Sequence, residues 1–222
     1  MLLLEKIYAY LLKATSKTGE KGEYSGGHWQ AAVRAAALNI SAATSGRLLE
    51  VGCGEALFLA ELALVNKSLE LHGVDNWEEI LQRAKERLAS KEIGTVKLSL
   101  ADGAKLPFAD SYFETVVCIN TVFNLDSLVT VSKVFQEISR VCKKGGKVIL
   151  DYRNANNPLL YFKYKLAPYY DRTVKDLPLR TYRLAELKPL LDAAGLKITR
   201  QMPIGFPPAG IAPIMVLEIE KI

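Results

Sequence analysis

Leu48-Leu49-Glu50-Val51-Gly52-Cys53-Gly54-Glu55-Ala56 joins a short apolar run to a helical pattern through two glycines. Leu48 to Val51 reads as a strand, the glycines as a tight turn, and Glu55 to Val65 as the helix that follows. The same alternation continues downstream. Leu69 to Val74, Thr95 to Leu100 and Phe113 to Ile119 read as further strands, and Trp77 to Ala89 reads as a helix between the first two of them. Val116-Val117-Cys118-Ile119 is continuously apolar, as a strand covered on both faces should be. From Asp126 to Cys142 a helix is expected, with Gly145-Gly146 as its left-handed stop and a fifth strand from Lys147 to Leu150. Alternating strands and helices predict parallel pairing with right-handed crossovers, hence a three-layer α/β domain. Ligands of such sheets sit at the carboxyl ends of the strands, near the switch in strand order. Gly52 to Glu55, Asp75-Asn76, Ala101-Asp102-Gly103, Asn120-Thr121 and Tyr152 to Asn156 are therefore the segments to read for function.

The sign of charge at those ends is informative. A dinucleotide fingerprint needs a third glycine at position 57, where this chain has Leu57. It also sets a pyrophosphate on the helix N-terminus, where Glu55 would repel it. Asp75 follows Gly54 at the interval from which a second-strand carboxylate takes ribose hydroxyls. Glu50, Glu55, Asp75 and Asp102 together suit a cationic nucleoside without phosphate, and S-adenosylmethionine, with its sulfonium and ammonium, has that character. The structural alternatives are a turn-capping role for Glu50 and a helix-capping role for Asp75.

These segments resemble, in order, the motifs of the class I S-adenosylmethionine-dependent methyltransferases, in their small-molecule branch. Leu48 to Ala56 is similar to the first motif, His72-Gly73-Val74-Asp75 to the ribose-binding strand end, and Ala101-Asp102-Gly103-Ala104-Lys105-Leu106-Pro107-Phe108 to the adenine-side segment. Phe113-Glu114-Thr115-Val116-Val117 resembles the fourth-strand motif, and Leu184 to Leu196 the helix leading to the sixth strand. Two positions depart from the pattern: Ala56, where the family often has a third glycine, and Glu114, where it usually has Asp.

The resemblance implies a Rossmann-like methyltransferase fold, a mostly parallel seven-stranded sheet with the last strand antiparallel. It implies Gly52 and Gly54 at the methionine portion of S-adenosylmethionine, with Glu50 among the cofactor-binding residues. Asp75 and Asn76 would lie at the ribose, and Ala101, Asp102 and Gly103 at the adenine. Asn120 would face the methyl-transfer site. No catalytic residue is assigned, because the cofactor is already activated and positioning alone supplies much of the acceleration.

Outside these motifs, residues 152–182 break the alternation. Tyr152, Tyr161, Tyr164, Tyr169 and Tyr170 alternate there with Arg153, Lys163, Lys165, Arg172, Lys175 and Arg180. A long insertion over the cofactor end of the sheet reads as a substrate lid, its alternative being a small satellite core. Tyr152, Arg153, Tyr161 and Tyr164 are the expected substrate residues, with His28 beyond Gly26-Gly27 either a general base or a packing residue at a helix start. The acceptor is then expected to be an anionic or aromatic small molecule. The expected division is an N-terminal helical cover (1–45), a cofactor-binding core (46–151), the lid (152–182) and a C-terminal helix with strands (183–222), all one domain.

Composition bounds the rest. The chain has 222 residues, half of them apolar, enough for one full core. Its net charge of +5 is concentrated in residues 151–190, where Lys and Arg outnumber Asp and Glu by eight to four; residues 41–150 carry 13 against 14. That mild surplus, without an RNA-binding motif, argues against a nucleic-acid partner. Three scattered cysteines and two histidines suggest neither disulfides nor a metal site, and point to a reducing cytoplasm. Residues 1–12 are apolar but interrupted by Glu5 and Lys6, so they read as an amphipathic helix packed on the domain, its alternative a membrane-surface helix, and not as a signal peptide or membrane span. Two other functions stay open at this level: an NAD-dependent oxidoreductase and a non-catalytic S-adenosylmethionine-binding protein. The oligomeric state is not legible.

Overall fold

The computed structural model describes residues 28–162, 164, 179–206 and 209–222, and of His28 and Ala209 only the backbone. In chain order the elements are α1 (His28–Ser41), β1 (Arg47–Val51), α2 (Leu57–Val65), β2 (Glu70–Asp75), α3 (Glu78–Ser90) and β3 (Val96–Leu100). They continue with β4 (Phe113–Cys118), α4 (Leu128–Val141), β5 (Cys142–Arg153), α5 (Leu184–Ala193), β6 (Leu196–Ile204) and β7 (Ile214–Lys221). Short 3-10 turns cover Val122–Asn124 and Ala209–Ile211.

The strands form one seven-stranded sheet in the order β3-β2-β1-β4-β5-β7-β6. Only β7 runs against its neighbours, β5 and β6. This is the expected Rossmann-like methyltransferase topology. The strand order reverses between β1 and β4, which opens a crevice at their carboxyl ends.

Alternation along the strands divides the core into two layers. Leu49, Val51, Val116, Cys118, Val148 and Leu150 pack under α4 and α5. Leu48, Leu71, Val117, Ile119 and Ile149 pack under α1, α2 and α3. The helices bury the stripes their sequences present: Val131, Val134, Phe135 and Ile138 on α4, and Ile80, Leu81, Ala84 and Leu88 on α3. Ser127 caps α4 by accepting from the Thr130 amide at 3.1 Å.

Two local expectations are corrected. Gly145-Gly146 does not end α4, which gives way to β5 directly at Cys142. The pairing of β4 with β5 jumps from Phe113–Cys142 to Thr115–Lys147, and the glycines lie in that bulge. Gly145 has φ +72°, and a Cβ on Gly146 would meet the Lys143 carbonyl at 2.7 Å. The second correction is at the start of α2. The helix begins at Leu57, not Glu55, because Ala56 turns left-handed at φ 57°. At Ala56, the position where the family often carries its third glycine, the backbone adopts the conformation a glycine takes without strain.

Candidate active site

The crevice is built from the ends of β1, β2 and β4. The Gly52 and Cys53 amides both donate to the Val74 carbonyl, at 2.8 and 3.0 Å, which folds the glycine turn onto β2. Gly52 has φ +75°, and a Cβ there would lie 2.3 Å from Thr121 Oγ1, so the end of β4 closes directly on this turn. The Gly54 amide donates to Asp75 Oδ2 at 2.9 Å, and Trp77 N to Asp75 Oδ1 at 3.1 Å. Asp75 thus ties the turn to the start of α3, and each of its oxygens keeps a further lone pair.

Glu50 stands at the base of the crevice, on the β1 face toward α1 and α2. It is 3% exposed, and its Oε2 has no hydrogen-bond partner among the described residues. Burial first, then the Asp75 charge, raises its carboxyl well above the usual carboxylate range, against the attraction of Arg34. A buried acceptor of this kind calls for a hydrogen-bond donor beside it.

The third strand supplies the next edge. The Ala101 amide donates to the Asp75 carbonyl at 2.9 Å, and exposed Asp102 accepts from the Ala104 amide, also at 2.9 Å. Gly103 approaches β1 closely: a Cβ there would meet Val51 Cγ1 at 3.0 Å. Asn76 is exposed beside Asp75.

At the end of β4, Asn120 is left-handed at φ 55°. Its amide donates to Asp151 Oδ1 across a short contact, its side-chain oxygen accepts from Arg153 Nη2 at 2.9 Å, and its Nδ2 reaches the Gln30 carbonyl at 3.4 Å. Because a guanidinium only donates, Arg153 fixes which way the Asn120 amide faces. Arg153 also pairs with Asp151 at 2.5 Å, donates from Nε to Tyr164 OH at 3.1 Å, and lies 4.3 Å over the Phe123 ring.

Structure and sequence reading thus part at several residues. The structure brings Glu50, Gly52, Gly54, Asp75, Asn76, Ala101, Asp102, Gly103 and Asn120 to the carboxyl edge of one sheet. Glu55 belongs elsewhere: it is buried against α3 and pairs with Arg87 at 3.2 Å and Arg83 at 3.5 Å, so its charge is neutralised there. Tyr152 is 3% exposed in the core under α4 and α5, where burial pushes its phenol up to about 12. It lies on the β5 face opposite Asp151 and Arg153. Arg153 is equally buried, its guanidinium committed to Asp151 and Asn120, which removes it from the cations expected to meet an acceptor. Tyr164 joins that cluster at 6.3 Å from Phe123, while Tyr161 is exposed beside Phe162. His28 begins α1. Residues 1–27, Lys163 and residues 165–178, with most of the expected lid, lie outside the described residues.

Asp151 and Phe123 were missed, and Thr121, although in a segment singled out, was given no role. Asp151 and Arg153 were findable as opposite charges two apart on one strand, hence on one face; nothing in the sequence points Thr121 at Gly52. Among the described residues, no cluster of His, Cys, Asp or Glu could hold a metal ion, and no helix is long and apolar enough to cross a membrane.

Comparison with known proteins agrees with this fold. A family model described as a methyltransferase domain matches residues 49–150. A phosphatidylethanolamine N-methyltransferase of Cereibacter sphaeroides is 36% identical over 109 residues, 49% of this chain and 51% of that protein. A ubiquinone/menaquinone biosynthesis C-methyltransferase of Burkholderia thailandensis is 30% identical over 168 residues, 68% of this chain and 67% of its own length. The chain spans about half the length of the first relative and two thirds of the second. In fold it is similar to the magnesium protoporphyrin IX methyltransferase of Synechocystis, solved with bound S-adenosylhomocysteine, at TM-score 0.69, 14% identity, and 87% and 85% coverage of the two chains. The chain belongs to the S-adenosylmethionine-dependent methyltransferases.

Proposed function

We propose that this protein transfers the methyl group of S-adenosylmethionine to an apolar small-molecule acceptor of lipid or quinone type. The observation that carries the cofactor half is Glu50, a buried carboxylate at the base of a double-glycine turn with one oxygen that finds no partner among the described residues. An ammonium group there would satisfy that oxygen, while the spare lone pairs of Asp75 would take ribose hydroxyls and Asp102 the adenine amine. Bound in this crevice, S-adenosylmethionine would supply a sulfonium-activated methyl whose positive charge disappears on transfer. The chain's own residues bind and orient. Glu50 and Asp75 hold the methionine and ribose portions of the cofactor, the Gly52 and Gly54 backbone leaves room for close approach, and Asn120 faces the acceptor side with its amide held by Arg153.

The acceptor half is supported by two observations. The relatives carry the names of enzymes acting on a phospholipid headgroup amine and in quinone biosynthesis. Beyond Asn120, the surroundings are aromatic: Phe123 and Tyr164 stand where an apolar acceptor would approach. The reading is tested by titrating S-adenosylhomocysteine and then assaying methyl transfer from labelled S-adenosylmethionine to a phosphatidylethanolamine and to a demethylated quinone. Tight cofactor binding with turnover on either acceptor is expected. Tight binding without methylation of either, or of any acceptor in a broad metabolite panel, would turn the reading toward a non-catalytic cofactor-binding protein.

A further inference from the structure

We propose that the outer face of the helical segment after β5, together with Ile211 beside it, docks on an anionic lipid bilayer. The two pieces are fixed to one another by buried asparagines. Asn154 Nδ2 donates to the Gly210 and Ala212 carbonyls, each at 2.9 Å, and Asn157 Nδ2 to the Ile211 carbonyl at 2.8 Å. Asn157 Oδ1 also caps the helical segment by accepting from the Leu160 amide at 2.7 Å. Both asparagines are almost wholly buried, so the surface they carry is held by the scaffold.

Helical spacing sorts the side chains. Leu160 points into the protein and is 1% exposed, while Leu159 and Phe162, three apart on the other side, are 61% and 58% exposed. Ile211 is half exposed, and the exposed Tyr161 ring meets Phe162 edge-on at 5.7 Å. Exposed apolar residues scattered singly need no explanation, but Leu159 and Phe162 on one helical face, with Tyr161 against Phe162 and Ile211 on the loop tied to the same segment, mark an interaction surface.

Charge chooses the occupant. From 158 to 180 the sequence carries five cations, Lys163, Lys165, Arg172, Lys175 and Arg180, against Asp171 and Asp176. Arg180 is exposed, and its amide donates to the Phe123 carbonyl at 2.7 Å, which places it at the acceptor side of the crevice. Apolar side chains followed in the chain by cations, with exposed Arg180 among them, complement a bilayer with anionic headgroups: the apolar groups enter the acyl boundary and the cations meet the phosphates. A second copy of this chain would bring like charges together. A nucleic acid would leave Leu159 and Ile211 without a role. The lipid-type acceptor proposed above would reach the crevice from such a surface, but docking does not depend on turnover, so the two readings fail separately.

The test uses the full chain, without acceptor, in cosedimentation with vesicles of phosphatidylcholine alone and of phosphatidylcholine mixed with phosphatidylglycerol. Binding to the mixed vesicles, weakened by added salt, is expected. Leu159→Ser with Phe162→Ser should weaken it on the order of tenfold or more, and Ile211→Ser should weaken it less. Unchanged melting temperature and S-adenosylhomocysteine affinity certify the fold of each variant. Absence of binding to the mixed vesicles, or equal binding by wild type and the double variant, overturns the proposal. So does a concentration-dependent dimer that the double variant dissolves, or binding to RNA in preference to vesicles.

Discussion

The Arg153 guanidinium closes on the Asp151 carboxylate at 2.5 Å, with both side chains almost completely shielded from water. Burial raises the Asp151 carboxyl, and Arg153 and the Asn120 amide pull against that shift. A buried pair is costly to break from one side, because the survivor keeps its desolvation penalty without its partner. Arg153→Met and Asp151→Asn should each destabilise the fold by about 3–5 kcal/mol in urea unfolding. The double variant should lose less than the sum of the two. Additive losses would mean the two groups are energetically independent.

Asp75 ties the glycine turn to the start of α3 and, in the proposed reading, would hold ribose hydroxyls. Asp75→Ala should weaken S-adenosylhomocysteine binding by about 1.5–3 kcal/mol, measured by calorimetry, through loss of charge-assisted hydrogen bonds. Unchanged binding would move the ribose elsewhere.

The raised carboxyl of Glu50 gives cofactor affinity a pH dependence of definite sign. A cation binds the ionised form, so affinity should fall as pH drops through the raised value and the carboxyl protonates. Glu50→Gln should flatten that profile, weakening binding where the wild-type carboxyl is ionised and little where it is protonated. Stability should move the other way. Because the folded value lies above the unfolded one, the wild type loses stability as pH rises from the unfolded toward the folded value, and the glutamine variant does not. Its ligand-free melting temperature at neutral pH should therefore rise, by about 2–4 °C for each kcal/mol of relieved desolvation. A glutamine variant that binds as tightly as wild type would remove Glu50 from the cofactor site.

Gly52 has no room for a side chain. Gly52→Ala combines a left-handed φ with a Cβ 2.3 Å from Thr121 Oγ1, so it should abolish measurable S-adenosylhomocysteine binding and lower the melting temperature. Gly52→Ala with Thr121→Gly should regain part of the stability, since it relieves the clash but not the φ. No recovery would show that backbone strain alone dominates.

Much of the fold was legible because the signals were local and repeated. The apolar runs at Leu48, Leu71 and Val116 alternate with helical patterns, and burial on both faces leaves those strands one reading. The misreadings are equally physical. Gly145-Gly146 looks like a helix stop because a left-handed glycine serves a bulge and a helix end equally well. Glu55 looked like part of the acidic crevice, but its environment is set by Arg83 and Arg87, about thirty residues away on α3.

By itself, then, the sequence determined the alternating α/β order, the double-glycine turn and the acidic residues at the strand ends, because each depends on neighbours close in the chain. The tertiary structure decided which charges remain available. It committed Arg153 to Asp151 and Glu55 to α3, turned Tyr152 into the core, and left an oxygen of Glu50 in the crevice with no partner among the described residues. Ionic partnership depends on distance and burial, and residues far apart in the chain acquire both only when the sheet brings them together.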